Sequence, residues 1–315
     1  MIPSFPDFTA LELEHRDALN GYFALHSPHV SELTFSNLFS WKKSYGFSIC
    51  TIFDGFLILS HGGGSPAFFP PLVSREHRKD TVTACCRWLR EQGHAGSLIR
   101  LDEEFISVFQ ISVEGSISTL RIRDEQYELT EDRDNFDYLY RTSDLIDYPG
   151  PLFHDKKNLL LQFTRNYEYR YLHLDESLLE QCISFEHEWC EERSCETVPG
   201  LSKEKCAIYT MLTHYKELGV QGGMLEVGGS LAGLCLGERL NEDTFVLHVE
   251  KGKSALKGIY QAMEVEFLRR EASQFQFTNK EQDLGNEGLR RSKLSYNPVA
   301  LVKKYILSCR QKQDN

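Results

Sequence analysis

The chain has 315 residues, 41% of them apolar and 12% aromatic, with a formal net charge of −11. That is globular material, too much for one small core, and it predicts two domains or one double-sized domain. The acidity excludes whole-surface attraction to nucleic acid or anionic lipid. The longest apolar run, CTIFDGFLILS, is about ten residues and broken by Asp54-Gly55, against the roughly 20 needed to span a bilayer.

In chain order, helical periodicity covers about 10–25 and 35–44. FSICTIF-DG-FLILS then predicts two strands joined by an Asp-Gly hairpin turn. After the loop HGGGSPAFFPP come a helix near 75–92 (Val82, Cys85, Cys86, Leu89) and a strand SLIRL at 97–101. The acidic run RDEQYELTEDRDNFD reads as the domain boundary, so 1–137 forms a first unit. A connecting segment follows over 138–170, where Leu159, Leu160 and Phe163 anchor a helix, and 171–315 forms a second unit. There Leu178, Cys182, Phe185 and Trp189 mark one helix over about 175–192, and a second runs 202–218 with Ser202 as N-cap and Gly219 as stop. MLEVGGSLAGLCLGE predicts a hairpin turning at Gly228-Gly229, and TFVLHVE a further strand. A helix at 257–271, the strand QFQFTN and a short helix from Asn286 complete the order. Two helices, a hairpin, a helix and a strand thus occur twice, which predicts two copies of one α+β unit.

Nine cysteines without framework spacing read as reduced thiols of a cytoplasmic protein, with Cys195 the best placed for exposure but without a catalytic role. No CxxC or paired-histidine spacing points to a metal.

The charge is unevenly distributed. Residues 251–310 carry +6 and the remainder −17. Within that window HVEKGKSALKGIYQ places a Gly/Lys-rich turn between a strand and a helix. This arrangement aims backbone N–H groups and a helix N-terminus at an anion, with Lys251, Lys253 and Lys257 adding charge. It lacks the P-loop order. FTNKEQDLGNEGLRRSKLSYNP follows, a strand end crowded with polar and basic side chains.

These two stretches, with VALVKKY after them, closely resemble the C-terminal region of phosphatidylglycerol lysyltransferases and their soluble stand-alone relatives. The signature there is a KG-x-Y-Q helix start, an N-x-E-Q-D-x-G-x-x-G-L-R-x-x-K run and S-Y-x-P. FDYLYRTSDLIDYPGPLFHDKKNLLLQF and NLFSWKKSYG are similar to that family's linker and N-terminal half. The resemblance implies two tandem GNAT-like units, each a mixed, mostly antiparallel sheet flanked by helices. It implies an aminoacyl or acyl transferase with no tightly bound cofactor, whose donor is aminoacyl-tRNA or acyl-CoA. The acceptor is an amine or hydroxyl on a small molecule, lipid or peptide, and tRNA would meet the basic 251–310 region. On this reading Asn279 bonds the oxyanion, Glu281 or Asp283 is the base, and Tyr296 is the acid. Lys251, Lys253, Ser254, Ala255, Lys257 and Gly258 hold the donor, with Arg290 and Lys293 on its phosphate. Leu256 stands where the GNAT pyrophosphate loop keeps its middle glycine, which argues against ordinary coenzyme A binding. Two alternatives stay open: a silent GNAT-fold binding protein, and a conventional coenzyme-A-dependent N-acetyltransferase.

Overall fold

The computed structural model describes the chain apart from residues 63, 115, 116, 124, 194–198 and 310–315, so Cys195 lies outside the described residues. In chain order the elements are β1 (Thr9–Ala10), α1 (Arg16–His26), α2 (Phe35–Tyr45), β2 (Ser48–Ile52), β3 (Gly55–Ser60), β4 (Ala67–Phe68), α3 (Arg78–Glu91), β5 (Ser97–Asp102), α4 (Glu103–Ile106), β6 (Gln110–Glu114), β7 (Ile117–Ile122) and β8 (Glu125–Glu131). There follow β9 (Asp137–Arg141), α5 (Thr142–Asp147), α6 (His154–Asn166), β10 (Tyr169–His173), α7 (Leu179–Glu192), α8 (Pro199–Thr213), α9 (Tyr215–Leu218), β11 (Gln221–Val227), β12 (Ser230–Arg239), β13 (Thr244–Gly252), α10 (Ile259–Phe267), β14 (Phe277–Asn279), α11 (Glu287–Leu294), β15 (Ala300–Val302) and β16 (Lys304–Ser308).

Two compact units result, both discontinuous in sequence. Met1–His26, Lys42–Phe136 and Val302–Asn315 form one; Ser27–Trp41 and Asp137–Leu301 form the other. The first holds a sheet of order β1-β2-β3-β4-β5-β16-β8-β7-β6, and the order β10-β11-β12-β13-β14-β9-β15 makes a second sheet. The repeat read from the sequence is present in the topology. β2, β3 and β4 run antiparallel and α3 leads to β5, parallel to β4; β11, β12 and β13 run antiparallel and α10 leads to β14, parallel to β13. The fold is of the expected α+β class, two tandem GNAT-like units with mixed sheets flanked by helices.

The first unit's core packs Val82, Cys85, Cys86 and Leu89 of α3 against Leu57, Leu98 and Leu101. Its hairpin differs from expectation by one position. Ile52 pairs with Gly55, so the turn is Phe53-Asp54, with Phe53 at φ +48, and Gly55 begins the strand. Gly55 is needed for another reason: a Cβ there would lie 1.7 Å from the Leu72 carbonyl oxygen. Part of the acidic run read as the boundary is β8, whose alternation turns Tyr127 and Leu129 into the core and leaves charges outside, and the division between the two units falls at the end of that run, after Phe136. Cys86 and Cys309 are joined by a disulfide, Cα atoms 4.9 Å apart, which corrects the reading of all nine cysteines as thiols. These residues are 223 positions apart, and only the insertion of β16 beside β5 brings Cys309 to α3.

In the second unit the Gly228-Gly229 turn is as expected, both glycines having positive φ (+58 and +79). Helix α8 starts at Pro199, which puts Ser202 inside the helix; Gly219 caps α9 at φ +71. Phe245, Leu247, Ala262, Met263 and Phe267 form the core between sheet and α10, with Phe163 of α6 and Tyr148 joining it. The segment 138–170, read as a connector, supplies α5, α6 and most of β9, which lies between β14 and β15. Among the described residues no helix is long and apolar enough to cross a membrane.

Candidate functional site

The site grows out of a fork in the second sheet. β13 and β14 pair in parallel only from Thr244↔Phe277 to Val246↔Asn279, after which β13 continues to Gly252 without that partner. At the fork the β12–β13 register slips: Leu236 faces Val249 while Gly237 faces Leu247, so His248 is the extra residue of a bulge. The slip interrupts the strand's alternation and aims His248 and Glu250 across the gap.

Two charged bridges span the fork. His248 donates through Nδ1 to Glu281 Oε1 at 2.7 Å and through Nε2 to Glu238 Oε1 at 2.9 Å. Burial opposes charge on the ring, but the hydrogen bonds and charges of these two glutamates outweigh it and push its pKa up to about 10. Both N–H groups are thus committed, and His248 is a charged strut. Ser36 and Asn37 reach the same glutamates, Ser36 Oγ donating to Glu238 (3.1 Å) and Asn37 Nδ2 to Glu281 (3.3 Å). In the second bridge the Lys280 ammonium lies 3.0 Å from Glu250 and bonds the fully buried Glu264, which also accepts from Tyr148 Oη at 2.8 Å. Burial works against the Lys280 charge, yet the two carboxylates hold its pKa well above the ordinary lysine value. Glu264 itself is pushed up by burial, with Lys280 opposing.

A prediction follows for the histidine. A pKa raised from 6.5 to about 10 stabilises the fold fully below about 6.5, and that contribution is lost as pH rises through about 10. The stability difference between the native protein and His248→Gln, measured by urea unfolding, is expected to shrink steadily over that window. A pH-independent difference would mean that the ring carries no charge.

The turn before α10 consists of two β-turns, with Leu256 N–H donating to Lys253 O and Ile259 N–H to Leu256 O. Ser254, Ala255 and Lys257 are exposed. Leu256 packs onto the core, and Gly258, at φ +89, is buried with its Cα against α6. A Cβ on Gly258 would stand 2.2 Å from the Leu159 carbonyl oxygen. The anion-binding face of this helix start is therefore partly covered.

The profile of the family described as "Phosphatidylglycerol lysyltransferase, C-terminal" matches residues 23–308. The chain belongs to that family. Among solved structures, a conserved protein of unknown function from Bacteroides thetaiotaomicron superposes with a TM-score of 0.84 at 28% identity, covering 98% of this chain and 99% of that one. A protein described as L-PGS, from Bacillus licheniformis, gives 0.63 at 12% identity, over 100% and 95% of the two chains. The C-terminal domain of a protein described as a lysylphosphatidylglycerol synthetase, from Agrobacterium fabrum, gives 0.62 at 10%, over 95% and 91%. The last two likenesses are of fold alone. An uncharacterized protein of Mycoplasmoides gallisepticum is 26% identical over 179 residues, 54% of this chain and 55% of that protein. The chain thus matches about half the length of this curated relative.

The fork gathers Asn279, Glu281, Asp283, Arg290, Lys293 and Tyr296, and each has a defined neighbour. Asn279 is wholly buried; its Nδ2 donates to Asp137 Oδ2 (3.2 Å) and its Oδ1 accepts from Glu281 N–H (2.8 Å). Its amide therefore props Glu281, which has a strained φ of +56. Asp283 takes a two-point contact from Arg290 (2.9 and 2.8 Å) and the Tyr138 hydroxyl at 2.6 Å. Burial resists its charge, but these bonds keep its carboxyl far below the usual range, which makes it a brace and a poor base. Tyr296 accepts from Gln261 Nε2 at 2.5 Å, and burial pushes its hydroxyl well up. Lys293 donates to the Lys280 carbonyl, and burial pushes its pKa down to about 8, with Glu281 opposing.

The expected donor lysines stand differently. Lys251 is buried on the Trp189 ring (3.8 Å) and bonded to Glu204 (2.8 Å), and Lys253 pairs with Glu188 at 3.4 Å. Lys280 and Lys303 also meet acids from outside the positive window, Glu250 and Glu131, so the fold offsets part of its linear charge excess.

Sequence reasoning missed His248, Glu250, Glu264 and Lys280. One signal was available: Glu264 falls four residues after Tyr260 on the apolar face of its helix, where an acid requires a buried partner.

Proposed function

We propose that this protein transfers an aminoacyl group from an ester donor, aminoacyl-tRNA, to an amine or hydroxyl acceptor, with the reaction at the fork of β13 and β14. The family and fold are those of acyl and aminoacyl transferases. The observation that carries the finer reading is the pair of charged bridges across the fork, His248–Glu281 and Lys280–Glu250. A pantetheine arm entering between the strands would have to break both, at a cost of several kcal/mol. An ester on the end of a nucleic-acid strand can reach the mouth of the fork without doing so. Leu256 turned to the core and Gly258 covered by α6 argue the same way against a coenzyme A pyrophosphate.

Lys293 is the base on this reading. With its pKa near 8 it surrenders a proton close to neutrality, whereas Lys280 does not. It takes the acceptor's proton as the nucleophile attacks the ester carbonyl. The C–O bond to the ribose oxygen breaks, and that oxygen takes the proton that Lys293 had removed from the acceptor. Lys280 supplies fixed positive charge for the developing oxyanion. Ser254, Ala255 and Lys257 meet the outer donor backbone.

The test is transfer of a radiolabelled aminoacyl group from charged tRNA to small amines and polyols. The rate is expected to rise with pH through about 8 and to fall roughly 100-fold or more in Lys293→Met, with the pH limb abolished. Thermal stabilisation and turnover with acetyl-CoA would instead establish the coenzyme-A reading. Absence of transfer from either donor would leave a binding protein.

A further inference from the structure

On the sheet face opposite α10, helix α7 carries a buried acid that the reaction above does not use. Cys235 and Glu250, paired across β12 and β13, lie on the α10 side, so the adjacent pair, Leu234 and Lys251, points to α7. Glu186 of α7 is only 3% exposed. Its Oε1 meets the Cys190 thiol at 3.6 Å, and its Oε2 is buried with no hydrogen-bond partner among the described residues. An ionised carboxylate so poorly solvated is costly, and the protonated acid far less so.

The neighbouring charges leave this acid without a cation of its own. Lys251 lies on the ring of Trp189, three residues further along α7, and bonds Glu204 of α8 at 2.8 Å. If Glu186 ionised, two carboxylates would share that one ammonium. Lys205 of α8 attracts Glu186 more weakly than Lys251 does, and β12 turns the apolar Leu234 to this side. Burial is the largest influence and, with repulsion from Glu204, outweighs Lys251, the Cys190 thiol and Lys205; the Glu186 pKa is pushed up to about 7. Helix α8 packs along α7, so its departure would return Glu186 to water and to ordinary acidity.

We propose that Glu186, Lys251 and Glu204 form a proton-operated latch that holds α8 against β13. With Glu186 neutral, Lys251 belongs to Glu204 and ties the helix to the strand. Loss of the proton sets two carboxylates competing for one ammonium. Glu204, whose side chain is 32% exposed, is the one that water can take over, and α8 is let go. The latch works beside the fork, since Lys251 follows Glu250 in β13, but it does not rest on the transferase reading. Its sign follows from linkage. Opening raises the acidity of Glu186 from about 7 to the ordinary 4.5, so it releases a proton between those values and is favoured as pH rises.

The experiment is amide hydrogen exchange of the full chain from pH 4.5 to 8, read by mass spectrometry on peptides of α8 and corrected for the chemical exchange rate. Relative to Glu186→Gln, α8 protection in the native protein is expected to fall about tenfold per pH unit from 4.5 toward 7 and to level off above. Peptides of β11 and β12 should show no such difference. Glu204→Gln, which removes the acid on α8, is expected to lose tenfold or more of α8 protection at pH 5. Should Glu186→Gln fold poorly, the slope of the native protein and the Glu204→Gln loss still decide the matter. Native α8 protection that does not change with pH, the same slope in Glu186→Gln, an equal difference in β11 and β12, or native protection in Glu204→Gln would each overturn the latch.

Discussion

Lys280→Met is expected to lower the unfolding free energy by about 3–5 kcal/mol near neutral pH. The reason is what remains. Glu264 is fully buried and Glu250 largely so, and without the ammonium they repel each other, with the Tyr148 hydroxyl still bonded to Glu264. The Lys280 pKa is raised in the folded protein, so its contribution is fully present below the unfolded lysine value and is lost only in strong alkali. The deficit should therefore be constant across neutral pH and diminish in acid, where the carboxylates take up protons. Urea unfolding of Lys280→Met and of the double variant Lys280→Met/Glu264→Met measures it. The double variant should recover part of the loss, because removing both members of a buried pair costs less than stranding one. A single variant as stable as the native protein would mean that the bridge is not formed.

Gly258→Ala is expected to cost about 3 kcal/mol or more, combining a left-handed backbone with a steric collision. The new methyl would lie 2.2 Å from the Leu159 carbonyl oxygen and 3.0 Å from Phe163 Cβ, both on α6. Neither is the free end of a flexible side chain, so α6 must shift. The unfolding midpoint of the variant against the native protein measures the loss. Gly258→Ala with native stability would show that α6 does not press on this turn.

The fork was only partly legible from the residues. Asn279, Glu281, Asp283, Arg290, Lys293 and Tyr296 were singled out by a resemblance to known sequences, and they gather around one gap. Their individual duties were not legible. Asp283 looks like a free acid in a linear string, and nothing local reveals that Arg290 and Tyr138 grip it from two directions. Lys251 and Lys253 look like a basic loop, yet their acids sit on α8 and α7, 47 and 65 positions away respectively. Charge in a window is a property of the chain, whereas potential at a surface depends on which acids the fold brings near.

Local patterns identified what local physics controls. The Gly228-Gly229 hairpin, the stop at Gly219, the helix after Asn286 and the repeated order of elements all follow from backbone freedom, capping and periodicity within a few residues. Asn286 accepts the Leu289 N–H at 2.9 Å, as a capping residue should. The partners of β9 and β16 were decided by tertiary structure alone. β9 enters a sheet whose nearest strand, β14, lies more than a hundred residues later, and β16 returns to complete a sheet begun near the N-terminus. The disulfide, the fork's bridges and the covered helix start all depend on those long-range placements. A strand's sequence specifies which face is buried; its neighbour is selected by the free energy of the whole sheet, to which residues far apart in the chain contribute equally.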